Sequence, residues 1–198
     1  MRRPGYNPVM QKTAAKLVLV VLASLLTAAA LSSAQAQYRH RYQREPKPVD
    51  HPAPAVPLDK RDHVVAAPAA FAGRPYWLAL AQCGGIYFKL NELYTDIAVQ
   101  ARVVKPNPKV NTEYTKRLNE AIDAASAFYD AADHFLTADR GIERVDAVLI
   151  YDEQSLAAGN RVKTVSEALA AARSCPALYQ ACQEAYPKTC SEPLTPIS

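Results

Sequence analysis

Lys105-Pro106-Asn107-Pro108 is the feature that most restricts how this chain can fold. Each proline lacks an amide proton and disfavours helical backbone at the residue before it, so no regular helix runs through the tetrapeptide. Apolar residues nevertheless recur with the helical period on both sides of it. On the N-terminal side Ala79, Cys83, Ile86, Leu90, Leu93, Ile97 and Val104 fall within about 80° of arc when about 100° is allowed per residue. On the C-terminal side Leu118, Ile122, Ala125, Tyr129, Ala132 and Leu136 span a similar arc, about 80°, which Phe128 and Phe135 widen. Two amphipathic helices separated by an enforced break fold back as a hairpin. The first is expected from Pro75, a favoured first-turn residue, to Val104, and the second from Asn111 or Thr112, both acceptable caps.

Further helices follow. Asp139 is placed to cap a third helix carrying Ile142, Val145, Leu149 and Leu156 on one stripe. Past Gly159-Asn160 the positions Val165, Leu169 and Ala172 keep helical spacing but are rotated away from that stripe, so a kink near Gly159 is expected at Ala158–Arg161. This divides the region into helices over 140–158 and 161–174. Ser174-Cys175-Pro176 then opens a short C-terminal helix that ends at Pro187. No alternating strand pattern is present. The expected fold is all-α, an antiparallel helical bundle of three long helices, the third kinked, plus the short fourth one.

Composition enters through the compartment. The 198 residues are 49% hydrophobic and 21% charged, which fits neither a disordered polyelectrolyte nor a multi-pass membrane protein. Residues 1–36 have the three parts of a secretory signal: a cationic start through Lys16, an apolar run Leu17–Leu31, and Ala34-Gln35-Ala36. The apolar run is shorter than the span of about 20 residues a membrane helix needs. Cleavage is expected between Ala36 and Gln37, without lipidation because no cysteine follows the run, and delivery to the periplasm or the medium. The formal charge of +4 is a property of this leader: four of 23 basic residues and no acidic one lie in it, leaving 19 against 19. The helical region 76–186 holds 11 basic and 14 acidic side chains, so specific nucleic-acid binding is not expected.

Export governs the reading of Cys83, Cys175, Cys182 and Cys190, an even set beyond the leader. Two disulfides are expected in an oxidising compartment. Cys182 and Cys190 flank the reversal at Pro187, which favours a local bridge there and Cys83–Cys175 as the second. The pairing Cys83–Cys182 with Cys175–Cys190 is the alternative. Zinc is disfavoured because there is no C-x₂-C pair and no histidine close in sequence. Between leader and bundle, residues 37–74 are rich in proline and poor in large apolar side chains, and read as a disordered arm. It opens with the basic-aromatic run Tyr38-Arg39-His40-Arg41-Tyr42-Gln43-Arg44, read as a solvated leader. The bundle is expected over 75–190 and a frayed tail over 191–198.

Chemistry is sparse. Gly84-Gly85 lies inside the first helix, where each glycine costs about 1 kcal/mol against alanine; close approach of a second helix, or a ligand-contacting turn, would account for it. Tyr87 and Tyr94 lie seven residues apart on one flank near Cys83, so Tyr87, Tyr94, Gly84 and Gly85 are the candidate ligand groove, while boundary packing is the structural reading of the same tyrosines. Asp123, Asp130 and His134 share a face of the second helix, but it points away from the apolar stripe, so no metal is expected. Paired catalytic carboxylates, a G-x-S-x-G serine, a C-x-x-C-H haem site and a methionine beyond the leader are all lacking. No cofactor and no enzymatic activity are expected. The expectation is an exported interaction or structural protein of the bacterial envelope with an unidentified partner, or alternatively a periplasmic binder of sugar, peptide or aromatic ligands at the tyrosine groove.

Overall fold

Helix α1, Tyr76–Val99, follows Pro75, whose backbone angles of φ −57° and ψ 141° place it outside the helix. The computed structural model describes residues 58–194, which are all-α apart from one isolated bridge between Val64 and Pro75. α1 continues into a wider π turn, Gln100–Val104, before the proline break. There the amides of Lys105 and Asn107 donate to the carbonyls of Gln100 and Ala101, at 3.0 and 2.8 Å. Helix α2 runs Pro108–His134. It starts earlier than Asn111 or Thr112, because Asn107 caps it by accepting from the Val110 amide at 3.3 Å, with Pro108 in the first turn, where no amide proton is needed.

The α1–α2 hairpin is antiparallel, as its contacts show: Tyr76 stacks on Phe135, Tyr87 on Phe128, and Tyr94 meets Tyr114 edge to face. Between these pairs the Asn91 side-chain amide donates to the Leu118 carbonyl at 2.9 Å. The buried face of α2 is the expected one, with Ala125, Phe128, Tyr129, Ala132, Phe135 and Leu136 in the core. α2 also ends in a π turn, Phe135–Asp139, closed by Gly141 at φ +65°, a left-handed position that suits glycine.

Helix α3 spans Arg144–Gly159, α4 Val165–Ala172 and α5 Cys175–Ala185. Asp139 caps none of them: it closes the α2 π turn, and Glu143 precedes α3. The expected kink near Gly159 is a full break, and α4 restarts at a capping box in which Thr164 and Glu167 satisfy each other's backbone amides. α1 is the hub, packing most on α2, then on α3, α4 and α5. α5 is tied to it by Cys83–Cys175, with Cα atoms 5.8 Å apart, and to the following reversal by Cys182–Cys190, at 5.9 Å. That reversal is made as expected around Pro187, with the amides of Thr189 and Cys190 both donating to the Tyr186 carbonyl at 3.0 Å.

Two expected boundaries move. Residues 58–74 are not a disordered arm but part of the fold. Val65 and Phe71 are buried in the core, and the amides of Val65 and Gly73 pair with the carbonyls of Arg74 and Val65, each at 2.9 Å. The Asp62 carboxylate receives Arg140 Nε at 2.7 Å and its terminal nitrogen at 2.6 Å, and the same guanidinium lies 5.0 Å from the centre of the Trp77 ring. The two apolar anchors and this ion pair offset ordering costs that proline content alone does not reveal. At the other end Leu194 packs on the core and Gln183 donates to the Glu192 carbonyl at 3.1 Å, so 191–194 are docked rather than frayed. The leader, its cleavage position at Ala36 and Gln37, the basic-aromatic run, and the stretches 37–57 and 195–198 lie outside the described residues.

Candidate functional site

The residues that stand out in the sequence are brought together by the fold, but as packing. Gly84 and Gly85 sit where α2 and α3 come closest to α1. A Cβ on Gly84 would meet Tyr129 Cε1 at 2.5 Å, and one on Gly85 would overlap the backbone carbonyl of Ser155. Gly159 completes the crossing, where an added Cβ would stand 2.9 Å from the Gly85 carbonyl oxygen. The Tyr129 hydroxyl closes it with a buried 2.8 Å hydrogen bond to Ser155 Oγ. Close helix approach is therefore what the two glycines serve.

Tyr87 and Tyr94 are 4% and 0% exposed, held against Phe128 and Tyr114. The groove expected from Tyr87, Tyr94, Gly84 and Gly85 is not open, because α2 fills it with the rings of Phe128, Tyr129 and Tyr114. Burial pushes the phenols of Tyr76, Tyr87 and Tyr94 up, and that of Tyr179 up to about 12. Asp123, Asp130 and His134 remain exposed on α2, and His134 Nδ1 meets the Thr189 hydroxyl at 3.2 Å.

What the fold leaves unpartnered is elsewhere. Of the expected third-helix stripe only Ile142, just before α3, packs against the core; Val145, Leu149 and Leu156 on α3 itself are turned outward, 73%, 53% and 52% exposed, and the helix buries Ala147, Tyr151, Gln154, Ser155 and Gly159 instead. The cause is volume. The face α1 offers is a double-glycine notch, which admits a backbone at close range only if the partner side chains there are small. Ser155 and Gly159 meet that requirement and leucines do not. On α4 only one expected position departs: Ala172 is buried and Val165 packs against the core, while Leu169 is exposed and Ala168 is buried beside them. Val145, Leu149 and Leu156 lie within about 40° of each other around the α3 axis and form one ridge. It is bordered by the carboxylates of Asp146, Asp152 and Glu153.

A second apolar surface caps the hairpin. Val104, expected in the buried stripe of the first helix, is 68% exposed beside Val99 at 52% and Val103 at 69%. The π turn ends the helical register there, and among the described residues no other helix reaches past the proline break to cover it. Neither surface was expected from the sequence. The signal for the ridge was present in Ala147, Tyr151, Ser155 and Gly159, a mostly small series at four-residue spacing complementary to Gly84-Gly85.

No protein family, no curated protein and no solved structure matches the chain. Among the described residues, no helix is long and apolar enough to cross a membrane. Both disulfides are formed and no cysteine is free, an arrangement that suits an oxidising compartment.

Proposed function

We propose that this chain is an exported, non-enzymatic interaction protein of the bacterial cell envelope that uses the α3 ridge to bind a protein partner. The observation that carries the reading is the inversion of α3. A helix that buries Ala147, Tyr151, Gln154, Ser155 and Gly159 while turning Val145, Leu149 and Leu156 outward leaves apolar side chains in water that association removes. The acidic border of Asp146, Asp152 and Glu153 favours a partner helix with an apolar face flanked by lysine or arginine. Export is supported by the cationic start, the apolar run and Ala34-Gln35-Ala36, and the two disulfides agree with it. The alternative, a small-ligand binder at Tyr87 and Tyr94, lacks an opening through which a ligand would reach those rings.

A photo-crosslinking residue placed at Leu149 or at Leu156 in the native host tests the ridge. The expected result is one shared protein adduct from both positions, absent when the crosslinker stands at Lys116 on α2, and lost when Val145 is changed to Glu. Absence of an adduct, or equal capture from Lys116, would overturn the reading.

A further inference from the structure

The α1–α2 hairpin tip combines exposed aliphatic side chains with unpaired cations. Val99, Val103 and Val104 are more than half exposed, and Arg102, Lys105 and Lys109 stand among and beyond them without an ion-pair partner among the described residues. No carboxylate lies between Asp96 and Glu113, so this end is locally cationic although the helical region as a whole is acidic. An open cavity of about 560 Å³ lies between the π turn of α1 and the start of α2, lined by Ile97, Ala101, Val104, Lys105, Asn107 and Val110. The proline break holds this surface at the extremity of the hairpin, where nothing else in the bundle shields it.

Exposed branched aliphatics interspersed with cations, at the end of a helical hairpin, fit one environment well. The phosphates at an anionic bilayer surface attract the cations, while the valines enter the boundary between headgroups and acyl chains. A protein surface able to match both features would need an apolar pocket ringed by carboxylates. The α3 ridge with its acidic border is the one such surface described on this chain, so docking of one copy's tip on another's ridge is the outcome that the test must tell apart from vesicle contact. We infer that the hairpin tip is a peripheral docking site for anionic phospholipid bilayers, independent of the partner-binding ridge. A molecule seated by this tip would carry its α3 face above the bilayer surface.

The test places a fluorophore at the contact itself, so that membrane binding through the leader or the basic run after it does not register. Trp77 is fully buried and supplies a constant background in the purified full chain carrying V103W. With vesicles of phosphatidylglycerol and phosphatidylcholine, emission from the introduced indole is expected to shift to the blue and to be quenched by lipids brominated near the headgroup. Vesicles of phosphatidylcholine alone are expected to give neither effect. Adding R102E, K105E and K109E should weaken the effect by about tenfold or more in apparent affinity, with helical circular dichroism unchanged. Unshifted emission on anionic vesicles, or a shift indifferent to the charge reversal, would overturn the inference. So would a concentration-dependent dimer, abolished by V103D and V104D, in place of vesicle contact.

Discussion

Gly85 of α1 and Ser155 of α3 meet backbone to backbone, so close that a Cβ on Gly85 would overlap the Ser155 carbonyl. This contact sets the orientation of α3, because the side of the helix that can approach a glycine notch is its small side. The leucine side is then directed outward by geometry rather than by its own hydrophobicity. Changing Gly85 to Ala should therefore destabilise the fold by about 2–3 kcal/mol, even though alanine is intrinsically the better helix residue by about 1 kcal/mol. Gly84→Ala should cost less, since it meets the Tyr129 ring rather than backbone. Urea unfolding of the two variants checks the order.

The same relationship separates core from surface on α3. Leu149→Gln and Leu156→Gln should each change stability by no more than about 0.5 kcal/mol, whereas Tyr151→Ala should cost about 3 kcal/mol or more. The reverse order in thermal denaturation would mean that the leucines are buried.

Removing the two disulfides should have unequal effects. Cys83–Cys175 closes a loop with a sequence separation of 92 and Cys182–Cys190 one of 8, for which loop entropy gives about 4.6 and about 2.5 kcal/mol. Paired cysteine-to-alanine variants, compared by denaturant midpoint, should rank in that order.

Asp62 and Arg140 form a two-pronged ion pair with side chains 1% and 10% exposed. Arg140→Met leaves the carboxylate buried without its partner and should cost about 3 kcal/mol. Because the pair fastens the segment before α1, the variant should also be cut by protease within 58–74 where the parent is not. Unchanged protection there would show that Val65 and Phe71 hold the segment by themselves.

Alkali should unfold the bundle through its tyrosines. Tyr76, Tyr87, Tyr94 and Tyr179 hold their protons more tightly folded than unfolded, Tyr179 up to about 12 against an ordinary value of 10.0. Below the unfolded value both states are protonated and nothing is lost. Above it the unfolded chain releases protons that the folded one retains, so stability falls as pH rises from about 10 towards 12. Tyrosinate absorbance and loss of helical circular dichroism should rise together in that window.

Much of the fold was legible in the sequence where local rules act alone. The proline break dictated a hairpin because a missing amide proton has the same consequence in any context. The α2 stripe was buried as its period implied, and Cys182 and Cys190 were paired by a turn that their own neighbours encode. Cys83–Cys175 followed from helix placement together with elimination. Boundaries were less legible: the Asn107 cap is hidden inside the proline break, and residues 58–74 were obscured by a composition that counts prolines but not the anchoring of Val65, Phe71 and Asp62.

The candidate site was less legible than the fold. Tyr87 and Tyr94 were visible as unusual residues, but whether a tyrosine faces a ligand or a phenylalanine depends on what the opposite helix brings to it. By itself the sequence determined the helices and the hairpin, since these rest on backbone chemistry and on periodicity within one segment, and it favoured the disulfide pairing that the fold makes without excluding the alternative. Only the tertiary structure decided that α3 presents its leucines to solvent and that the valines at the hairpin end stay uncovered. The reason is that burial belongs to pairs of surfaces: Ser155 and Gly159 won the place against Gly85 because they fit it, and the more hydrophobic face of the same helix did not.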